Sequence, residues 1–211
     1  MEDLHKHIKK GELMNLLYLD FETYYDVQLS LGKMTTVQYV NHPDFKVWGV
    51  GLKMNDGETE WFGEDQYEEA LLQIPWEDTA VVCHNTLFDA YILTQYVGVY
   101  PAFYYDTASL SRGLYPNQSA RLKDVAIRCF PNNPSMRKGE ELINAKGVRD
   151  LDPELDAQIG GYCIQDVDIT YEIYHKMIQG YPQDELDIID LTVRMFVEPK
   201  LILDREMLIE H

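Results

Sequence analysis

Residues 16–20 read LLYLD, an apolar run closed by an acid, and a run without polar alternation predicts a central strand buried on both faces. Downstream, KVWGVGLKM and ETEWFG flank the turn triplet NDG, so residues 46–63 predict a β-hairpin. EDQYEEALLQI has the spacing of an amphipathic helix stopped by Pro75; TAVVCHN predicts a further strand, and TLFDAYILTQYVG a helix ending at Gly98. A short strand at FYYDT leads into a helical stretch from about Ala108 to Phe130, and the Pro- and Asn-bearing segment 131–147 predicts a loop or lid. From Pro153 the pattern is helical throughout: Asp152 can cap a helix with Pro153 at its first position that runs to Gly180, and QDELDIIDLTVRMFV follows Pro182. Strands alternating with helices, then helices alone, predict an α/β domain built on one mixed sheet.

Composition narrows the setting. With 45% hydrophobic residues in 211, the chain can bury one sizeable core. Cys83, Cys129 and Cys163 form no C-x-x-C pair, which speaks against a disulfide framework or a zinc knuckle. The leader MEDLHKHIKKGELMNLLYL has no apolar stretch of signal-peptide length, and nowhere do 18 apolar residues run together; a soluble, cytoplasmic protein with no membrane partner is expected.

The formal net charge of −18 runs against backbone binding to nucleic acid. Between Arg112 and Arg149, however, Arg112, Arg121, Lys123, Arg128, Arg137, Lys138, Lys146 and Arg149 face only Asp124, Glu140 and Glu141. Such a segment on an acidic body suits guidance of a single strand, and equally suits a solvated helix face.

Three groups of polar residues stand out, each ordinary when taken alone. Asp20 and Glu22 alternate at the end of the first strand, so they share a face while Phe21 points back into the core. Two similar pairs, Asp152 with Glu154 and Asp204 with Glu206, are better explained as helix starts. Asn85 is placed to cap the helix after the TAVVC strand, with Asp89 in its first turn, where acids are common. Tyr162 and Asp166 are four residues apart in the long helix and therefore share a face.

As a set they mean more. Four carboxylates converging from two strand ends and two helices repel one another unless cations fill the space between them. Oxygen donors without a His or Cys partner suit Mg²⁺ or Mn²⁺, and a pair of such ions about 3.5–4 Å apart serves in-line displacement at phosphorus.

The ordered trio D-x-E, N-x-x-x-D and Y-x-x-x-D resembles the three motifs of the tyrosine-type DEDD exonucleases, and from about Leu16 to Tyr174 the chain is similar to the 3′→5′ proofreading domain of bacterial and phage family A DNA polymerases. The resemblance implies a ribonuclease H-like fold, a mixed central sheet flanked by helices. It divides the chain into a leader (1–15), an exonuclease domain (16–180) and a C-terminal helix with the start of a junction (181–211) toward a polymerase domain in the same parent chain.

Carried over by position, Asp20, Glu22 and Asp166 hold the metal beneath the attacking water, Asp20 bridges to a second ion, Asp89 serves that ion, and Tyr162 orients the water. Thr23, Asn85 and Phe88 resemble positions that contact the terminal nucleotide, and Tyr24 and Tyr25 are candidates for base stacking. His84 and Asp89 have the H-x-x-x-x-D spacing of the histidine-type branch, but in the second motif, so the tyrosine form is read. The implied activity is two-metal hydrolysis at the 3′ end of single-stranded or frayed DNA by a monomer, in host cytoplasm if the chain is of phage origin. Two alternatives stay open: an exoribonuclease of the same superfamily, and an inactive nucleic-acid-binding scaffold.

Overall fold

The computed structural model of the chain describes residues 14–136, 145–201 and 203–210. Its centre is β1 (Asn15–Thr23), whose Leu17, Tyr18 and Leu19 are all buried, as an unbroken apolar run requires. The expected hairpin forms from β2 (Val47–Met54) and β3 (Glu60–Gly63), and β2 lies antiparallel to β1 with Asp20 opposite Gly51. On the other side, β4 (Thr79–Cys83) runs parallel to β1, and β5 (Phe103–Asp106) parallel to β4. The sheet is therefore mixed, in the order β3-β2-β1-β4-β5.

Helices cover both faces. Leu17, Leu19 and Phe21 of β1 point to one side, where they pack with α1 (Thr36–Val40), α2 (Tyr67–Leu72), α3 (Leu87–Tyr91) and the later part of α7 (Gln183–Val197). Tyr18 points to the other side, into a cluster formed with α4 (Thr107–Leu114), α5 (Leu122–Cys129) and α6 (Pro153–Met177). The last helix, α8 (Arg205–Glu210), is exposed.

Local rules account for most of the ends. Asp152 accepts from the N–H groups of Glu154 (3.0 Å) and Leu155 (2.8 Å) at the start of α6, and Asp204 accepts from Met207 N–H (3.0 Å) ahead of α8. Both acidic pairs are thus helix starts. After α3 the chain continues as a π-helical segment over Ile92–Val97 and stops at Gly98, whose φ of 86° favours glycine.

Four expectations are corrected. The helix expected over 64–74 is confined to α2: its next turn would need an N–H from Pro75, which has none, and the Leu71 carbonyl is taken instead by the Trp76 indole N–H (2.8 Å). The single helix expected from Ala108 to Phe130 is two, because Pro116 denies Tyr115 a helical conformation and the chain re-enters a helix only at Leu122. The long helix ends at Met177 rather than Gly180, which sits at φ 75° beyond it. Asn85 is not the cap of α3: it has φ 70°, and Asp106 accepts the N–H groups of Asn85 (2.7 Å) and Thr86 (3.2 Å) in its place. Most of the leader, and residues 137–144 of the expected lid, lie outside the described residues.

Helix α6 packs across β1, β2 and β3, and β2 supplies room for it. Gly49 and Gly51 face α6; a Cβ at Gly51 would lie 2.9 Å from Cys163 Sγ, and one at Gly49 would lie 2.4 Å from the Trp61 ring. Gly160 of α6 meets the same ring, at 2.7 Å from a hypothetical Cβ, so Trp61 is held between two glycines. This approach sets how near the side chains of α6 come to the end of β1.

Candidate active site

The three parallel strands end on one side of the sheet, the position where α/β proteins collect reactive groups. β1 and β4 are paired as far as Tyr18 and Val82, and β1 then carries on alone on that flank. The Phe21 N–H beyond this point donates to Asp89 Oδ1 (3.1 Å) instead of to a strand. Asp89 in the first turn of α3 thus completes the hydrogen bonding of the strand that bears Asp20 and Glu22. A bulge between Glu22 and Thr23 breaks the register with β2 immediately after the pair, a common device for turning side chains at a sheet edge.

On the opposite flank, α6 delivers Cys163 and Asp166, both buried, to the same place. Cys163 Sγ donates to the Asp20 backbone carbonyl (3.2 Å), and among the described residues Asp20, Glu22 and Cys163 bring their ligand atoms within 4.8 Å of one another. Burial pushes the Cys163 thiol well above its usual range, and the nearby carboxylates of Asp20, Glu22 and Asp166 add to it. Asp89 is likewise held well above the ordinary carboxylate range, first by burial and then by the charge of Asp20, against the lowering effect of the Phe21 N–H. The structure therefore gathers Asp20, Glu22, Asp89 and Asp166 at one end of the molecule. Tyr162 is half-buried on α6, one turn before Asp166.

The remaining predicted residues border this cluster. Thr23 Oγ1 is hydrogen-bonded to Tyr39 OH (2.9 Å), and Phe88 is half-buried with its ring 6.1 Å from that of Tyr39. Asn85 is exposed. Tyr24 and Tyr25 both pack edge-on against Trp48, and Arg149 lies over the Tyr24 ring, so they form a wall braced from behind.

Two participants carried no signal that the motifs supplied. Asp106, at the end of β5, is buried and accepts from Asn85, Thr86, Ala108 and Ser109 N–H groups, tying the starts of α3 and α4 together and fixing Asn85. The Asp-Thr that follows the FYY strand is a helix-cap pattern, and that was the available clue. Cys163 was read only as one of three sparse cysteines; nothing in the sequence says that it faces Asp20.

Beside Asn85 opens a groove of about 540 Å³, lined by His84, Arg112, Gln118, Ser119 and Arg121 among others. Its outer wall, the loop between α4 and α5, is anchored at both sides: His84 Nε2–H donates to the Ala120 carbonyl (2.8 Å), and Arg128 donates to the Ser119 carbonyl (2.7 Å). His84 thus has a structural partner, in keeping with the tyrosine form of the motifs.

The donor chemistry suits hard divalent ions. Asp20 and Glu22 offer oxygen, with the Cys163 thiol within ligand distance of both, and the conflict between buried Asp89 and neighbouring Asp20 is of the kind a cation relieves.

The mixed sheet with its helical layers is the ribonuclease H-like fold of nucleases, and solved structures agree. NrnC of Brucella melitensis superposes with a TM-score of 0.58 at 16% identity, covering 87% of this chain and 82% of that one. The same protein with bound Mg²⁺ gives 0.54 at 12% identity, with coverage of 87% and 82%. The family B DNA polymerase of the hyperthermophilic archaeon Pyrobaculum calidifontis gives 0.53 at 17% identity, over 83% of this chain but 27% of the polymerase. At such identities the likeness is one of fold. No curated protein matches the chain in sequence. A family model described as 3′-5′ exonuclease, of the DNA polymerase A type, matches residues 2–180, and the chain belongs to that family.

Proposed function

We propose that the chain is a metal-dependent 3′→5′ exodeoxyribonuclease that removes nucleoside 5′-monophosphates from single-stranded or frayed 3′ ends, the proofreading module of a DNA polymerase. The observation that carries the reading is the convergence of Asp20, Glu22, Asp89 and Asp166 in a member of a 3′-5′ exonuclease family. Two divalent ions, Mg²⁺ or Mn²⁺, supply the acidified water and the charge neutralisation at phosphorus when bound.

The chain's own residues do the rest. Asp20, Glu22 and Asp166 would hold one ion, and Asp20 with Asp89 the other. Tyr162 would hydrogen-bond the water and orient it. Thr23, Asn85 and Phe88 position the terminal nucleotide. The groove past Arg112 and Arg121 gives the strand a positive path on a body that is otherwise strongly acidic. The acidity also fits a monomeric, intracellular module that leaves duplex holding to an attached polymerase.

The test is one gel: the purified chain with 3′-labelled and 5′-labelled single-stranded DNA and matched RNA, with and without EDTA. Stepwise shortening of the 5′-labelled DNA, immediate loss of the 3′ label and arrest by EDTA are expected. Faster loss of the RNA shifts the substrate to ribonucleotides, and EDTA-resistant or 5′→3′ digestion overturns the mechanism.

A further inference from the structure

We propose that Tyr39 is a positioning residue of the nucleotide pocket: from outside all three motifs, it holds Thr23, Tyr24 and Phe88 in the arrangement that receives the terminal nucleotide. The inference rests on the exonuclease reading above and adds to it a residue that sets how tightly a 3′ end is held, not how fast it is cut.

Tyr39 lies in α1, a helix of five residues that is too short to be stable alone. It is fastened at both ends: Thr35 and Gln38 form a capping box at its start, and Asn41 Nδ2 donates to Tyr91 OH of α3 (2.9 Å) at its end. This fastening sets a buried phenol against the exit of β1. The Tyr39 O–H donates to the Tyr24 carbonyl, which can only accept, so the Thr23 hydroxyl donates to the phenol oxygen (2.9 Å). Both bonds fall just past the bulge between Glu22 and Thr23, where the register with β2 shifts and β1 ends. The Tyr39 ring lies 6.1 Å from that of Phe88 on α3 and edge-on to Phe45 at 5.4 Å, so it also spans the gap between the strand exit and the helix that bears Asp89. Burial pushes the phenol up to about 12, with the Glu22 charge adding to it against the Thr23 bond, so the group remains a donor at neutral pH.

The competing explanation is that Thr23 and the Tyr24 carbonyl only satisfy the hydroxyl of a buried tyrosine. Steady-state hydrolysis of 5′-labelled single-stranded DNA with Mn²⁺, with thymidine 5′-monophosphate as competing product, separates the two. Tyr39→Phe keeps the ring and deletes both bonds. KM and Ki are expected to rise roughly tenfold, with kcat and the half-saturating Mn²⁺ concentration within about twofold of the parent. A purely structural role lowers Tm and leaves KM and Ki at parental values, and that outcome overturns the proposal. So does a fall in kcat with KM unchanged, which would place Tyr39 behind the metal ligands instead. Thr23→Val removes one of the two bonds from the other side, so combining it with Tyr39→Phe should raise KM by less than the product of the two single effects; effects that multiply overturn the link to Thr23. Should Tyr39→Phe fail to fold, Asn41→Ala, at an exposed position that loosens the helix carrying Tyr39, should raise KM and Ki severalfold, and parental values there overturn the proposal. Absence of Mn²⁺-dependent hydrolysis by the parent overturns the exonuclease reading, whereas hydrolysis with parental KM and Ki in the folded Tyr39→Phe chain overturns this inference alone.

Discussion

Asp89 and Asp20 stand in direct electrostatic conflict. Asp89 is buried, its carboxyl is pushed upward by that burial and by Asp20, and the backbone N–H groups of Phe21 and of Asp89 itself oppose the shift. Removing Asp20 relieves the repulsion and, on the proposed mechanism, takes away a ligand common to both ions. Asp20→Ala is therefore expected to lower hydrolysis by roughly a hundredfold or more while leaving the EDTA-state Tm equal or slightly raised. Digestion of an oligonucleotide at the parental rate would remove Asp20 from the mechanism. Tyr162→Phe deletes one hydrogen bond, worth about 1.4 kcal/mol, so turnover should fall about tenfold with metal affinity intact; Mn²⁺ titration under single-turnover conditions checks both. Asp26 illustrates the opposite sign. Its carboxylate is held below its usual range chiefly by the Leu29 and Gln28 N–H groups (2.7 and 2.6 Å) at the turn leaving β1. A depressed native pKa gives stability that is present above the unfolded value of about 3.8 and is lost as pH falls through the native one. The Tm difference between parent and Asp26→Asn should be full at pH 6 and shrink below about pH 4; a constant difference would contradict this assignment.

Among the elements, the contact of α6 with β2 governs how the site is assembled. Gly49 and Gly51 read in the sequence as ordinary strand positions of KVWGVGLKM, and Gly160 as an interruption of a helix. Only the packing explains them, since Trp61 and Cys163 fill the places their side chains would take. Gly49→Ala sets a Cβ 2.5 Å from the Phe62 carbonyl as well as against Trp61, so it should cost about 1–3 kcal/mol in urea unfolding. A loss below 0.5 kcal/mol would mean that α6 yields easily. The caps at Asp152 and Asp204 and the NDG hairpin were legible because each depends on a few neighbouring residues. The break at Pro116 was equally local and was signalled by the proline. Asn85 misled for another reason: its capping role is taken by Asp106, 21 residues further on, from an adjacent strand.

For the whole molecule, charge decides where a polyanion approaches. The chain carries a formal −18, yet Arg112 and Arg121 line the groove that begins at Asn85. Reversing both, as Arg112→Glu with Arg121→Glu, should weaken single-strand binding and reduce the slope of log affinity against log salt by about 1.4, the value for two lost phosphate contacts. Fluorescence anisotropy in Ca²⁺ without turnover measures it, and an unchanged slope would place the strand elsewhere. Among the described residues no helix is long and apolar enough to cross a membrane, in line with the hydropathy of the sequence. Helix α7 belongs to the body rather than standing off it: Phe196 packs on Tyr91, and Arg194 donates to the Ala102 carbonyl (2.6 Å).

By itself the sequence determined most element types and the central strand and singled out the candidate carboxylates, because strand alternation, helix spacing and capping act over a handful of residues and the motifs keep a fixed order. The tertiary structure alone decided that these acids meet, and that a thiol meets them. Asp20 and Cys163 are 143 positions apart, and their contact depends on how closely a helix can settle on a glycine-bearing strand. That distance is set by side-chain volume across the interface, a quantity that no local pattern in the chain expresses.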